Sequence, residues 1–264
     1  MTTDRFNPPD PDELEVSVFG PSKGECIVIH VPNGPWFIVD SFRALNGSRK
    51  EPVAVAYLRD VIKTTDVYGL FLTHWHDDHT AGAGDVIRAF ASSLKMVGLP
   101  DGYGKRELAS LMADRLPDSL RSSMIVDIVD VTSALREPAS QNIERRTLIA
   151  GSVVSPRQGS AWTLEALSPS MDDQADHFAT ILKFLPSYSG TVPESYDVNS
   201  GCAVLHLSVS GMSVMLSSDL DIGSDDDRGW RCIVKHRGGA IASSIVRLAT
   251  MAALLRITCL LGMP

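Results

Sequence analysis

Leu72-Thr73-His74-Trp75-His76-Asp77-Asp78-His79 sets three imidazoles and two carboxylates in six residues, directly after the apolar run Gly69 to Leu72. The pattern is HxHxDH. In an extended segment, side chains two apart point the same way, so His74 and His76 can chelate one cation. Asp78 and His79, at the following turn, are displaced toward a second cation. A pair of divalent ions roughly 3.5–4 Å apart is the common two-metal arrangement for hydrolysis. A polar loop without metal is the bland alternative, and the density of ligand types argues against it.

Outward from this loop the chain reads as alternating strands and helices. Upstream, strands are expected at Leu14 to Phe19, Cys26 to Val31 and Trp36 to Val39, with a Pro32-Asn33-Gly34 turn and an acid, Asp40, closing the meander. Pro52 opens an expected helix through about Ile62. Downstream come a helix at Gly84 to Ser93, a strand at Leu94 to Leu99, and a helix at Glu107 to Leu116. The stretch Arg121 to Asn142 shows no clean period and stays unassigned. Strands follow at Thr147 to Ile149 and Trp162 to Leu167, then a helix within Asp176 to Leu185. A hairpin of Cys202 to Val209 and Met212 to Ser217 turns at Ser210-Gly211 and runs into Asp219. The tail reads as a helix, Ile241 to Leu255, and a strand, Ile257 to Leu261. With no long linker, the expectation is a flexible arm at 1–13 and a single α/β domain over 14–264.

This order of parts, together with His74, His76, Asp78 and His79, resembles the metallo-β-lactamase superfamily. The resemblance implies an αββα four-layer sandwich, two mixed β-sheets flanked by helices, with metal ligands on loops at one edge. It implies that Asp219, in Ser218-Asp219-Leu220, bridges two ions, and that His236, in Lys235-His236-Arg237-Gly238, is the last ligand. The first ion would be held by His74, His76 and Asp219, the second by Asp78, His79, Asp219 and His236. Within the superfamily the layout is most similar to the ComEC-type hydrolase domain of DNA-uptake channels. The carriers are Leu164 to Pro169, Asn199-Ser200 and the Lys-His-Arg-Gly run. The sequence departs from the superfamily at several places. Ser168 stands where a third His is usual, leaving Asp172, Asp173, His177 or water to complete the first site. Ser218 replaces a Gly, and Arg237 replaces a His beside His236.

What the resemblance implies chemically is a metal-dependent hydrolase with two divalent ions, zinc first and manganese as the alternative for a site short of one His. Asp78 is the expected catalytic residue, ligating and orienting the attacking water. A phosphodiester, small-molecule or nucleic-acid, is the substrate type favoured over lactam or thioester. The alternatives are a weakly active or non-catalytic binding protein, a glyoxalase-like thioesterase and a mononuclear iron oxygenase.

Composition sets the remaining bounds. The chain has 264 residues, 44% of them hydrophobic, which suffices for a sizeable core. A formal net charge of -8 gives no global attraction to nucleic acid or anionic membrane, although cations in a cleft reverse the sign locally. Four scattered cysteines form no CxxC pair, which fits a reducing compartment, and the expected location is cytoplasmic without membrane attachment. His30 and His206 read as strand histidines, Asp225 to Asp227 as a solvated loop, and Trp75 as either a space filler or a flank of the substrate entrance.

Overall fold

A computed structural model describes residues 8–20, 24–43, 51–100, 124–154, 161–183, 199–238 and 255–259. The expected helix Glu107–Leu116 lies outside them. So does that at Ile241–Leu255, apart from Leu255 itself.

β1 (Leu14–Phe19), β2 (Cys26–His30) and β3 (Trp36–Val39) form the antiparallel meander read from the sequence. β4 (Val67–Phe71), β5 (Met96–Pro100) and β6 (Glu144–Leu148) then add in parallel to β3, and β11 (Leu255–Cys259) closes the far edge beside β1. Every residue of β3 and β5 is buried, as expected of parallel strands covered on both faces. The second sheet is antiparallel, in the order β10-β9-β8-β7, from β7 (Val153–Val154), β8 (Trp162–Ala166), β9 (Leu205–Val209) and β10 (Met212–Leu216). Its β9–β10 hairpin turns at Ser210 (φ 45°) and Gly211 (φ 85°), the paired positive φ of a type I′ turn.

The period of two along the strands builds the layers. Val16, Ile27, Ile29, Phe37, Val39 and Phe71 point to the second sheet, where Leu164, Leu205, Leu207 and Leu216 meet them. The intervening Val28, Ile38, Leu70 and Val97 point the other way. There they meet α1 (Val53–Ala56, continued as a π-helical turn Tyr57–Ile62), α3 (Ala83–Phe90) and α4 (Met124–Ala134). Trp75, 1% exposed, fills this layer, so of its two expected roles it takes the packing one. On the outer face of the second sheet, Ile233 and Trp230 of α6 (Gly229–Arg237) cover Cys202, Val204 and Met215. Helix, sheet, sheet and helix stack as the αββα sandwich.

Three helices differ from the expectation. α4 occupies the stretch left unassigned, and α6 is a helix where the sequence reading names no element before Ile241. α5 spans Met171–Leu182, starting earlier than expected. The described end of the N-terminal arm is tied down: Asn33 N–H donates to the Pro11 carbonyl (2.5 Å), and His30 Nδ1 meets the Glu13 carbonyl (3.0 Å). Among the described residues, no helix is long and apolar enough to cross a membrane.

Candidate metal centre

The parallel strands β3, β4 and β5 end side by side, and the loops leaving them are laced together. Asp40 N–H donates to the Phe71 carbonyl (2.9 Å), Leu72 N–H to Gly98 (3.0 Å) and Ser41 N–H to His79 (2.8 Å). The second sheet joins at the same edge, because Ala203 N–H donates to the Thr73 carbonyl (2.9 Å). After His76 the chain turns into α2 (Asp77–Thr80), with the His79 and Thr80 amides donating back to the His76 carbonyl. Carboxyl ends of strands in open α/β sheets are where ligands collect, and the histidine motif lies there.

Asp40 organises the loop. Its Oδ1 accepts from Thr73 N–H (2.7 Å), and its Oδ2 accepts from the Thr73 hydroxyl (2.8 Å) and from His79 Nδ1–H (2.8 Å). The proton of the Thr73 hydroxyl is thereby committed. That oxygen can then only accept, from Ser218 Oγ (2.8 Å) and from His74 Nδ1–H (3.1 Å). In their neutral forms both His74 and His79 are therefore fixed as Nδ1–H tautomers whose Nε2 carries the lone pair. This is the outer support that metal-binding histidines require.

The two imidazoles meet an acid. A ligand atom from each of His74, His79 and Asp219 lies within 4.8 Å of the other two. His79 Nε2, completely buried and without a hydrogen-bond partner, stands 3.5 Å from Asp219 Oδ2 and 4.0 Å from Asp78 Oδ2. His76 Nδ1 is 3.0 Å from His74 Nε2. Burial, then His79 and His76, pushes His74 well below the usual imidazole pKa, and burial lowers His76 as well. For His79 burial also acts downward, but Asp40, Asp219 and Asp78 outweigh it and raise the pKa to about 11. A field that holds a proton this tightly is one that favours a cation. Buried nitrogen lone pairs, converging carboxylates and a locked tautomer fit a divalent metal.

The structure thus brings His74, His76, Asp78, His79 and Asp219 to one edge. His236 belongs to neither convergent group and is exposed on the last turn of α6, where Ile233 takes the inward position and Lys235, His236 and Arg237 end the helix. The candidates for completing the first site are also otherwise engaged. Ser168 Oγ donates to the Cys202 carbonyl (2.7 Å) and accepts from Val204 N–H (2.8 Å). Asp173 Oδ2 accepts from Ser170 N–H (3.1 Å), the Ser170 hydroxyl (2.8 Å) and Gly229 N–H (3.0 Å). Asp172 is exposed, and His177 packs against Gly201. Ser218 takes φ 46°, the conformation that explains the Gly usual there, and its hydroxyl supports Thr73.

Two buried acids at this edge escape the sequence reading, Asp40 and Glu25. Glu25 N–H donates to the Asp78 carbonyl (2.8 Å), and its carboxyl joins Asp40 and His79 in a second convergent group within 4.8 Å. Burial, then Asp40, raises the Glu25 pKa to about 7, with His79 opposing. The signal available in the sequence was a lone charge abutting each of two strands that are otherwise apolar.

A search of the curated proteins gives no significant match. Among solved structures the chain is similar to the hydrolase AbOPH of the β-lactamase superfamily, at 15% identity and TM-score 0.43, over 73% of this chain and 54% of that one. It is similar to a Cronobacter sakazakii metallo-β-lactamase with a HARLDQ motif, at 15% identity and TM-score 0.40, over 76% of this chain and 60% of that one. It is also similar to AidC, a dizinc quorum-quenching lactonase, at 12% identity and TM-score 0.39, over 73% and 54%. The chain spans between half and two thirds of the length of these proteins. The sequence profile of the Metallo-beta-lactamase superfamily matches residues 19–231, most of the chain and all of the convergent histidines and acids, and the protein belongs to that superfamily.

Proposed function

We propose that the protein is a metal-dependent hydrolase with a dinuclear centre, acting on a phosphodiester. The observation that carries the reading is the convergence of ligand atoms of His74, His79 and Asp219 at the strand-end edge, with both imidazole tautomers fixed from behind. Each residue then has a definable task. Asp40 and Thr73 hold the two rings, Asp219 spans the two sides of the cluster, and His76 adds a third nitrogen next to His74. Asp78, partly exposed, is placed to ligate and to take the proton of the attacking water. Bound divalent ions would supply Lewis acidity, bringing the pKa of water to about 7. Zinc suits the imidazole-rich side, and manganese an oxygen-rich one.

An anionic substrate fits a cation-loaded site in an otherwise acidic chain, since the ions locally reverse the repulsion. The order of Asn199-Ser200, hairpin and Asp219, similar to ComEC-type domains, supports a phosphodiester and leaves a nucleic acid as one form of it. A second reading, a thioester or carboxylic ester with a small acyl group, is favoured by one feature. A cavity of about 190 Å³ is lined by Pro100, Pro169, Met171, Ala175 and Phe178. Gln174, His177 and Gly201 complete its lining.

The test is a substrate panel on metal-free, zinc-loaded and manganese-loaded protein: a bis-aryl phosphodiester, a β-lactam, a lactone and a thioester. Metal-dependent cleavage of the phosphodiester is expected, with Asp78→Asn lowering kcat by about 10²–10⁴-fold. Preferred cleavage of the thioester selects the second reading. Silence on all four substrates at full metal occupancy refutes both.

A further inference from the structure

We propose that Glu25 is a ligand of the cation on the Asp78 and His79 side, in the place that the sequence reading gives to His236. This rests on the reading of the cluster as a metal centre and goes beyond it.

Position comes first. Glu25 precedes β2, and its amide is bonded to the carbonyl of Asp78, so its backbone is pinned to the motif loop itself. The side chain is 6% exposed, with a carboxylate oxygen within 4.8 Å of ligand atoms of both Asp40 and His79. His236, by contrast, is exposed on α6 and belongs to neither convergent group.

The second observation is independent of the clustering. Among the described residues the Glu25 carboxylate accepts no hydrogen bond, and the charges acting on it are His79 and the acids Asp40, Asp219 and Asp78. Asp40 cannot relieve it, because both Asp40 oxygens already accept from Thr73 and His79. A carboxylate that is largely buried among other acids and has no protein donor is unfavourable unless a proton, water or a cation supplies its partner, and a cation also relieves the neighbouring acids. One ion shared with Asp78, His79 and Asp219 would satisfy all four at once.

The donor set has a chemical consequence. Three carboxylates and one imidazole make this side oxygen-rich, while His74 and His76 keep the other side nitrogen-rich. The first composition suits manganese and the second zinc, so the two positions should differ in metal preference.

The experiment uses the full chain and its Glu25→Gln and His236→Ala variants, dialysed against Mn²⁺ or Zn²⁺. Bound metal is measured by mass spectrometry and Mn²⁺ affinity by electron paramagnetic resonance titration. The expected result is two ions in wild type and in His236→Ala. Glu25→Gln should hold one ion, with Mn²⁺ affinity reduced by at least about tenfold. Two ions of unchanged affinity in Glu25→Gln, or loss of an ion on His236→Ala, overturns the assignment. Should Glu25→Gln fail to fold, wild-type crystals soaked in Mn²⁺ decide by anomalous scattering: an ion shell that contains a Glu25 oxygen supports the proposal, and one that excludes it overturns it. Wild type that binds no ion sinks the metal centre as a whole, whereas two ions without Glu25 sink this inference alone.

Discussion

Asp40 serves three donors with two oxygens, and Asn in its place would turn one acceptor into a donor facing Thr73 and His79. Asp40 has φ 59°, a conformation Asn also tolerates, so the exchange isolates the hydrogen bonding from the backbone. Asp40→Asn should weaken metal binding by about 10–100-fold, read by calorimetric titration, because the His79 ring loses its anchor. Unchanged affinity would show that Asp40 does not orient the ring. Ser218 separates two effects in the same way. Ser218→Ala keeps the positive φ and loses the bond to Thr73, which should cost about 1 kcal/mol. Ser218→Gly loses the same bond but relaxes the backbone, so its melting temperature should lie above that of the Ala variant.

At the level of elements, α4 shows why part of the fold was illegible. Ile128, Val131 and Ala134 form its buried stripe, but Val126 points to solvent while Asp127 and Asp130 are spent on specific contacts. Asp127 accepts from the Thr80 hydroxyl (2.9 Å) of α2, and Asp130 pairs with Arg88 (2.8 Å) of α3. Polar side chains used this way look like breaks in a helical period. α6 misleads for a related reason, since only Trp230 and Ile233 mark its inner face. Its basic last turn, which suits the negative end of a helix, resembled a ligand motif. The strands around the motif were legible because they are short continuous apolar runs bounded by turn residues, as strands covered on both faces are. Asp40 and Glu25 were not, because each stands alone in sequence and acquires partners only when strand ends meet.

The α2–α4 contact yields a prediction in pH. Burial is the first cause that lifts Asp127 to about 6, with Thr80 opposing and Asp77 and Asp130 assisting. Its folded pKa lies above the unfolded value, so ionisation opposes folding. The cost is absent below about pH 4, grows through the folded pKa, and is complete above it. Asp127→Asn should therefore stabilise the metal-free protein at pH 8 by about 1 kcal/mol, partial exposure allowed for, and be neutral at pH 4. Denaturant titration at the two pH values checks it. A gain equal at both would assign the effect to packing.

Across the whole molecule, the proposed ligands come from both sheets: the histidines follow β4 of the large sheet, and Asp219 follows β10 of the small one. Ions that bind only this arrangement should stabilise the entire fold. At a hundredfold excess over Kd, each adds about 2.7 kcal/mol. A change of 1 kcal/mol moves the melting temperature of a chain of this size by about 2–4 °C. Chelation should accordingly lower it by about 5 °C or more for each ion removed, and an unchanged scanning-calorimetry trace would contradict two-sheet ligation.

Thr73 carries this coupling in a single residue, its carbonyl accepting from Ala203 and its hydroxyl from Ser218. It works as a rivet through the seam of the sandwich, so slippage of one layer past the other by a single peptide would pull the acid away from the rings. Cation release then becomes a gauge of alignment between the halves, timed with their parting rather than with fraying at the rim.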